Sequence, residues 1–259
     1  MAAIYITPML DNYRVDRKNP FDPLELFEAE SEQVSLMLKY LVDRGFLKTT
    51  DYDPKLFRKF RQFIAGNFDI PWTSVSMRCQ HLIYAINAIH RPENMIAAGI
   101  FCGATFANNA GAAVGPGAVY RAKNLVGIEI HEPSASLAAT NIAKFKADSH
   151  CRIECTDAIR YCDTFEQPID LLYLDAVVMN GKSTNLDGNS AHRQTKSLYY
   201  EILQVCLPKL KPGSLVLSHN SVDYAEELTD FHNTVRDTSI FKNSINFVMD
   251  TQGLEVSIR

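Results

Sequence analysis

The spacing of apolar residues changes character once along the chain, close to Pro92. Before it, the apolar positions recur every three or four residues. Leu24, Leu26, Phe27, Val34, Met37, Leu38 and Leu41 form a stripe with charged residues between them and predict a helix ending near Gly45. A second helix is predicted over 54–66, with Leu56, Phe57, Phe60, Phe63 and Ile64 on its apolar side. Its cations Lys55, Arg58, Lys59 and Arg61 are set mostly away from that side and read as a solvated face. A third helix covers 76–90 and buries Leu82, Ile83, Ala85, Ile86 and Ile89 before Pro92 stops it. Met1 to Pro23, punctuated by Pro8, Pro20 and Pro23, reads as irregular, an arm suited to packing on a partner subunit.

From Asn94 onward, short continuous apolar runs alternate with helical stretches. The runs are 95–98, 125–130, 152–155, 169–174, 215–218, 244–249 and 254–258. Helical segments at 104–113, 134–146, 158–163 and 197–210 separate the first five. Unbroken apolar strands divided by helices predict an α/β fold, a parallel sheet covered on both faces. The last two runs are joined at 250–253, too short for a helix, and predict an antiparallel hairpin. The chain thus divides into a helical region, 1–72, and a sheet domain, 73–259.

Composition narrows the partners. With 259 residues, 46% hydrophobic and 22% charged, the chain can bury a sizeable core. A net charge of −4 offers no general attraction to nucleic acid or to an anionic membrane surface, so a small molecule is the expected substrate. No apolar run approaches the roughly 20 residues of a membrane span. Asp11, Arg14, Asp16, Arg17 and Lys18 leave no signal-peptide core, so a cytoplasmic location is expected. The six cysteines form no Cys-x-x-Cys pair and read as reduced thiols, and Cys151 with Cys155 makes a poor zinc knuckle.

In a sheet of this kind ligands lie beyond the carboxyl ends of the strands. The polar or bare residues at those ends are the Gly99–Gly103 turn, Glu129, Asp157, Asp175, and His219 with Asn220. The turn combines residues without a Cβ with a helix start whose free N–H groups suit a polar ligand. Glu129, ending the strand after the turn, suits a two-point grip on a ribose diol. Any of these acids alone could equally cap a helix.

In order, these residues resemble the class I S-adenosylmethionine-dependent methyltransferases, in particular the catechol O-methyltransferase-like O-methyltransferases. IAAGIFCGATF is similar to the family's first motif, LVGIEIHEPSASLAATNI to its second, RIECTDA to its third, DLLYLDA to its fourth and LPKLKPGSLVLSHN to its fifth. FVMDTQGLEVSIR resembles the terminal hairpin, and SMRCQHLIYAINAIHRPENM the entry helix. The likeness covers about 73–259 and implies a Rossmann-like sheet of order 3-2-1-4-5-7-6 with the last strand pair antiparallel. The helical N-terminal region would cap the site or form a dimer contact, and a homodimer is expected.

The resemblance also implies roles. Gly99 and Gly103 would approach the amino-acid end of S-adenosylmethionine, Glu129 would bind its ribose hydroxyls and Asp157 with Ala158 would border its adenine, with Phe101 and Ile130 as further cofactor-binding residues. Asp175 would lie near the methyl group. In the metal-dependent branch of the family an acid on the fourth strand and an Asp-Asn pair ending the fifth bind a divalent metal ion, which maps here onto Asp175, His219 and Asn220. The metal stabilises the nucleophilic oxygen while a nearby Lys takes the proton.

Three positions depart from the pattern. Ala97 stands where the first motif carries an acid, so the cofactor's ammonium must be held otherwise. His219 replaces the second metal-binding Asp; it can ligate a transition ion, serve as a general base without metal, or be structural. Val177 to Thr195 separates Asp175 from Lys196 and Tyr199, which retain the family's Lys-x-x-Tyr spacing. That insert is either a variable surface loop or a substrate lid carrying Lys182, His192 or Arg193, and Lys182 and Lys196 compete as catalytic base. The implied chemistry is methyl transfer from a sulfonium to an oxygen of a small molecule. Another adenosyl-sulfonium group transfer and a noncatalytic cofactor-binding protein are the alternatives.

Overall fold

Because both faces of 95–98 and 169–174 are apolar, neither strand can sit at an edge or face water. In the computed structural model, which describes residues 5–6, 21, 23, 25–176, 182–184, 190–192 and 198–259, every residue of the strand Asn94–Ala98 is buried. In chain order the elements are β1 (Tyr5–Ile6), α1 (Phe27–Asp43), α2 (Pro54–Asn67), α3 (Met77–His90), β2 (Asn94–Ala98) and α4 (Ala104–Ala110). There follow β3 (Asn124–Glu129), α5 (Glu132–Ala143), β4 (Cys151–Cys155), α6 (Ala158–Thr164) and β5 (Ile169–Leu174). A ribbon of β6 (Lys182–Thr184) and β7 (Ser190–His192) precedes α7 (Leu198–Cys206), β8 (Leu210–His219), α8 (Thr229–Val235), β9 (Asn243–Phe247) and β10 (Leu254–Ile258).

The main sheet has the order β1-β9-β10-β8-β5-β2-β3-β4. β10 is antiparallel to both β8 and β9, and the other pairings are parallel. From β4 to β9 this is the order 3-2-1-4-5-7-6 implied by the resemblance. β1 adds a two-residue strand at the edge, within a stretch expected to be irregular. β8 begins at Leu210, earlier than the apolar run suggests, because Leu210 already pairs with Ile169 before an exposed irregularity at 211–213, where Gly213 takes φ +93 and the register with β5 shifts. α8 is absent from the sequence reading: seven residues with Phe231 and Val235 as its core contacts give too short a pattern to register.

Two cores flank the sheet. One joins Met95, Ala97, Leu171, Tyr173 and Leu217 to α1, α2, α3, α4 and α5. The other joins Ile96, Ala98, Leu172, Leu174 and Val216 to α6, α7 and α8. The N-terminal helices therefore cover one face of the sheet. No helix among the described residues is long and apolar enough to cross a membrane.

Arg61 corrects the reading of α2's cations as a solvated face. It is 8% exposed and forms a two-point ion pair with Glu30 of α1, Nη1 to Oε2 at 2.9 Å and Nη2 to Oε1 at 2.6 Å. Its Nη2 also donates to the Met77 carbonyl at 2.8 Å, at the start of α3. His81 of α3 lies 2.7 Å from Glu30 Oε1 through Nδ1 and 2.8 Å from the Tyr52 hydroxyl through Nε2. Phe57 is sandwiched against both, its ring centroid 4.1 Å from that of His81 and 4.5 Å from the Arg61 guanidinium carbon. Burial pushes the Glu30 carboxyl up, but the hydrogen bonds from His81 and Arg61 prevail and hold it below its ordinary value. The cluster ties α1, α2 and α3 into one unit.

Replacing Arg61 with Met leaves Glu30 buried without its guanidinium, an arrangement that costs about 3–5 kcal/mol. Urea unfolding should show a loss of that size, and a change below about 1 kcal/mol would show that the pair carries no such weight. Burial also lowers His81 and His90, and takes His232 to about 4. A histidine kept neutral in the fold contributes stability fully present above its unfolded value of about 6.5 and lost as pH falls toward the folded value. Thermal stability should therefore decline from pH 6.5 to about 4, with His232 alone contributing roughly 3 kcal/mol, and His232→Gln should flatten the profile.

Candidate functional site

At its carboxyl end β2 is bonded to both neighbours up to its last residue. The Asp175 N–H donates to the Ala98 carbonyl, and the Gly99 N–H donates to the Ile128 carbonyl, each at 2.9 Å. The chain then turns through Gly99 at φ +79, so close to the end of β5 that a Cβ would lie 2.3 Å from the Ala176 Cα. Gly103, at φ +86, starts α4 with Ala138 of α5 3.1 Å from where its Cβ would be. Between them Phe101 is left-handed at φ 48, a strained conformation for a bulky residue. Its N–H donates to Glu129 Oε2 at 2.8 Å, and the His131 N–H donates to Oε1 at 3.0 Å. Glu129 is thus fixed across the turn by two backbone donors while remaining half-exposed.

Asn141 of α5, fully buried, holds a second loop to this turn. Its Nδ2 donates to the carbonyls of Asp69 at 2.8 Å and Cys102 at 2.9 Å, and its Oδ1 accepts from the Asp69 N–H at 2.9 Å. The segment between α2 and α3 therefore lies over the turn, where the Trp72 ring packs on Phe101 with 4.7 Å between centroids. Ile130, 56% exposed, follows Glu129 and leaves an apolar surface beside it. Asp157 is the N-cap of α6, its Oδ1 accepting from the Arg160 N–H at 3.0 Å, and Ala158 opens that helix.

On the other side of the turn stand Asp175 and His219. His219 Nδ1 is 3.4 Å from Asp175 Oδ2; the imidazole is fully buried, whereas the carboxylate keeps 15% of its surface open. Of this pair, Asp175 is the one a ligand can touch. The Tyr199 hydroxyl donates to the His219 carbonyl at 3.0 Å, and burial first, then the nearby Asp175 and Asp223 carboxylates, push that phenol well above its ordinary range. Asn220, left-handed at φ 61, donates through Nδ2 to Asp223 Oδ2 at 3.1 Å.

Gly99, Phe101, Gly103, Glu129, Ile130, Asp175, His219 and Asn220 thus gather at the carboxyl edge of the sheet, with Asp157 and Ala158 at the head of α6. Ala97 is fully buried and paired with Tyr173 and Gly127, so it adds no charge beneath the turn, where burial first and then nearby carboxylates, Asp175 and Asp250 among them, push the Tyr173 phenol well above its ordinary range. The residues Arg193 and Lys196, with most of the insert, lie outside the described residues; Lys182 and His192 are described only as paired backbone in β6 and β7. Tyr199 is marked by its Lys-x-x-Tyr spacing, whereas Trp72 and Asn141 are parts of the site that residue type did not single out. Trp72, in a Pro-Trp break, offered only its rarity as a signal.

Among the described residues no three His, Cys, Asp or Glu side chains are grouped so as to hold an ion. Asp175 and His219 supply two donors at the end of the sheet, and Asn220, whose Nδ2 donates to Asp223 Oδ2, keeps its Oδ1 as the atom that can ligate an ion.

Solved structures match this architecture along most of its length. An O-methyltransferase from Bacillus cereus in complex with SAH is 14% identical, with a TM-score of 0.56 over 88% of this chain and 99% of that one. The O-methyltransferase TomG from Streptomyces achromogenes, in complex with SAM, is 19% identical, with a TM-score of 0.56 over 88% and 97% of the two chains. The SAH-bound Podospora anserina methyltransferase PaMTH1 is 12% identical, with a TM-score of 0.58 over 92% and 98%. No protein-family profile matches the chain, and no curated protein matches it by sequence. The chain has the Rossmann-like fold of these methyltransferases.

Asn141→Leu should free three backbone groups that Asn141 now pairs, two at Asp69 and one at Cys102. The expected loss is about 2–4 kcal/mol, with faster amide exchange at Asp69. Unchanged exchange there would show that the loop is held by other contacts.

Proposed function

We propose that the protein transfers a methyl group from S-adenosylmethionine to an oxygen of a small hydroxylated molecule. The observation that carries this reading is the pairing of a left-handed glycine turn with Glu129, which two backbone N–H groups hold in place across it, on a fold whose solved counterparts hold SAM or SAH. Gly99 and Gly103 leave the backbone bare for the methionyl end, Glu129 accepts from the ribose hydroxyls, and Ile130 lies against the adenine, with Asp157 and Ala158 at its far border.

The donor methyl then faces Asp175. Methyl transfer needs the acceptor oxygen, the methyl carbon and the sulfur in line, so catalysis is chiefly alignment. The acceptor hydroxyl gives its proton to the partly open Asp175 carboxylate as the oxygen–carbon bond forms and the carbon–sulfur bond breaks, leaving S-adenosylhomocysteine. His219, buried behind Asp175, acts as a positioning residue that fixes the carboxylate's orientation. Lys182 of the insert and Lys196 directly after it are the two candidate lysine bases. The helices of 1–72 serve as a cap, with the exposed Leu36 and Tyr40 of α1 as the contact of a homodimer. Six free cysteines suit a cytoplasmic location.

Calorimetry should show binding of both SAM and SAH, and Glu129→Ala should weaken it by about 1.5–3 kcal/mol, the range for hydrogen bonds to a charged group. Absence of binding to the unaltered protein would overturn the reading. In a panel of phenols and alcohols, turnover should persist in the presence of a chelator if Asp175 alone takes the proton, and its abolition with recovery on adding a divalent ion would assign a metal to Asp175, His219 and Asn220.

A further inference from the structure

Trp72 is the single tryptophan of the chain and is 45% exposed. An indole is a large apolar surface to leave in water, and it usually has a partner. The exposure does not come from a loose loop: Asp69 is held at both its N–H and its carbonyl by Asn141, and the same amide holds the Cys102 carbonyl. One aromatic face is fixed over the turn, its ring 4.7 Å from that of Phe101 with the planes at 35°. We propose that Trp72 is a cofactor-binding residue, which forms with Phe101 an aromatic seat for the positively charged sulfonium and favours it over the neutral thioether product.

This rests on the adenosyl-sulfonium reading of the site. Glu129 marks the ribose, and the Phe101 N–H is bonded to that carboxylate, so the Phe101 ring stands next to the ribose as well. The sulfur is attached to the ribose C5′ and lies between the ribose and the methionyl group, which is where the turn carries Phe101. Ala97 is uncharged, so the strand leading into the turn presents no carboxylate of its own to the cation. A cation over an aromatic face is stabilised by the ring quadrupole, and indole is the strongest of the natural faces. Product, having lost the methyl group and the charge, loses that attraction.

The tryptophan is its own reporter. Saturating the unaltered protein with SAM should change the single-tryptophan emission. By calorimetry, Trp72→Ala should weaken SAM about 3- to 30-fold more than SAH, and Trp72→Phe should retain most of the preference. Binding of SAM without an emission change, or equal losses for SAM and SAH in Trp72→Ala, would overturn the seat while leaving the methyltransferase reading standing. Failure of the unaltered protein to bind either ligand would remove both. Melting curves of the two variants separate a binding effect from a folding one, and Trp72→Phe preserves an aromatic ring if Trp72→Ala unfolds.

Discussion

The structure depends on how closely the end of β2 approaches the end of β5. Parallel strands lie about 4.8 Å apart, and a loop leaving one of them must clear the backbone of the next. Here it clears by having nothing to clear with: a Cβ on Gly99 would overlap the Ala176 backbone. Because the turn stays low, the ladder from β5 through β2 to β3 continues to the last residue of each strand, and Asp175 and Glu129 emerge at the same level on either side of it. A bulkier turn would lift the loop and take the Phe101 N–H away from the Glu129 carboxylate.

The helices before the sheet answer a different constraint. The face formed by Ala97, Tyr173 and Leu217 is as apolar as the opposite one and has to be covered, and α1, α2 and α3 cover it together with α4 and α5. Hydrophobic burial alone would let three helices slide, since it is nondirectional. The two-point Arg61–Glu30 pair, with His81 and Met77 as further partners, gives them a register. That register sets where the segment after α2 emerges, and hence where Trp72 meets Phe101.

The fold was legible where the physics is periodic. Alternating apolar runs and helical stripes located the parallel strands and the terminal hairpin, since burial on two faces leaves a continuous signature. What escaped was short or relational. β1 is two residues long, and α8 buries too few side chains to show a period. Arg61 reads as solvated because its partner Glu30 lies in another helix, and nothing local reveals a pairing made across that distance. The site divides the same way: Gly99, Glu129 and Asp175 follow from strand ends, whereas Asn141 and Trp72 depend on contacts between segments that are remote along the chain.

Asn141 has a consequence for the thermodynamics of binding. One side chain ties the backbone of Asp69 and that of the glycine turn at Cys102 to α5, so neither loop can move without breaking a buried hydrogen bond. A ligand seated between them finds walls whose freedom was already surrendered during folding, and little further ordering accompanies its arrival. The cradle is therefore preorganised, and differences in affinity among ligands should reflect the contacts they make rather than how well they tame a loop.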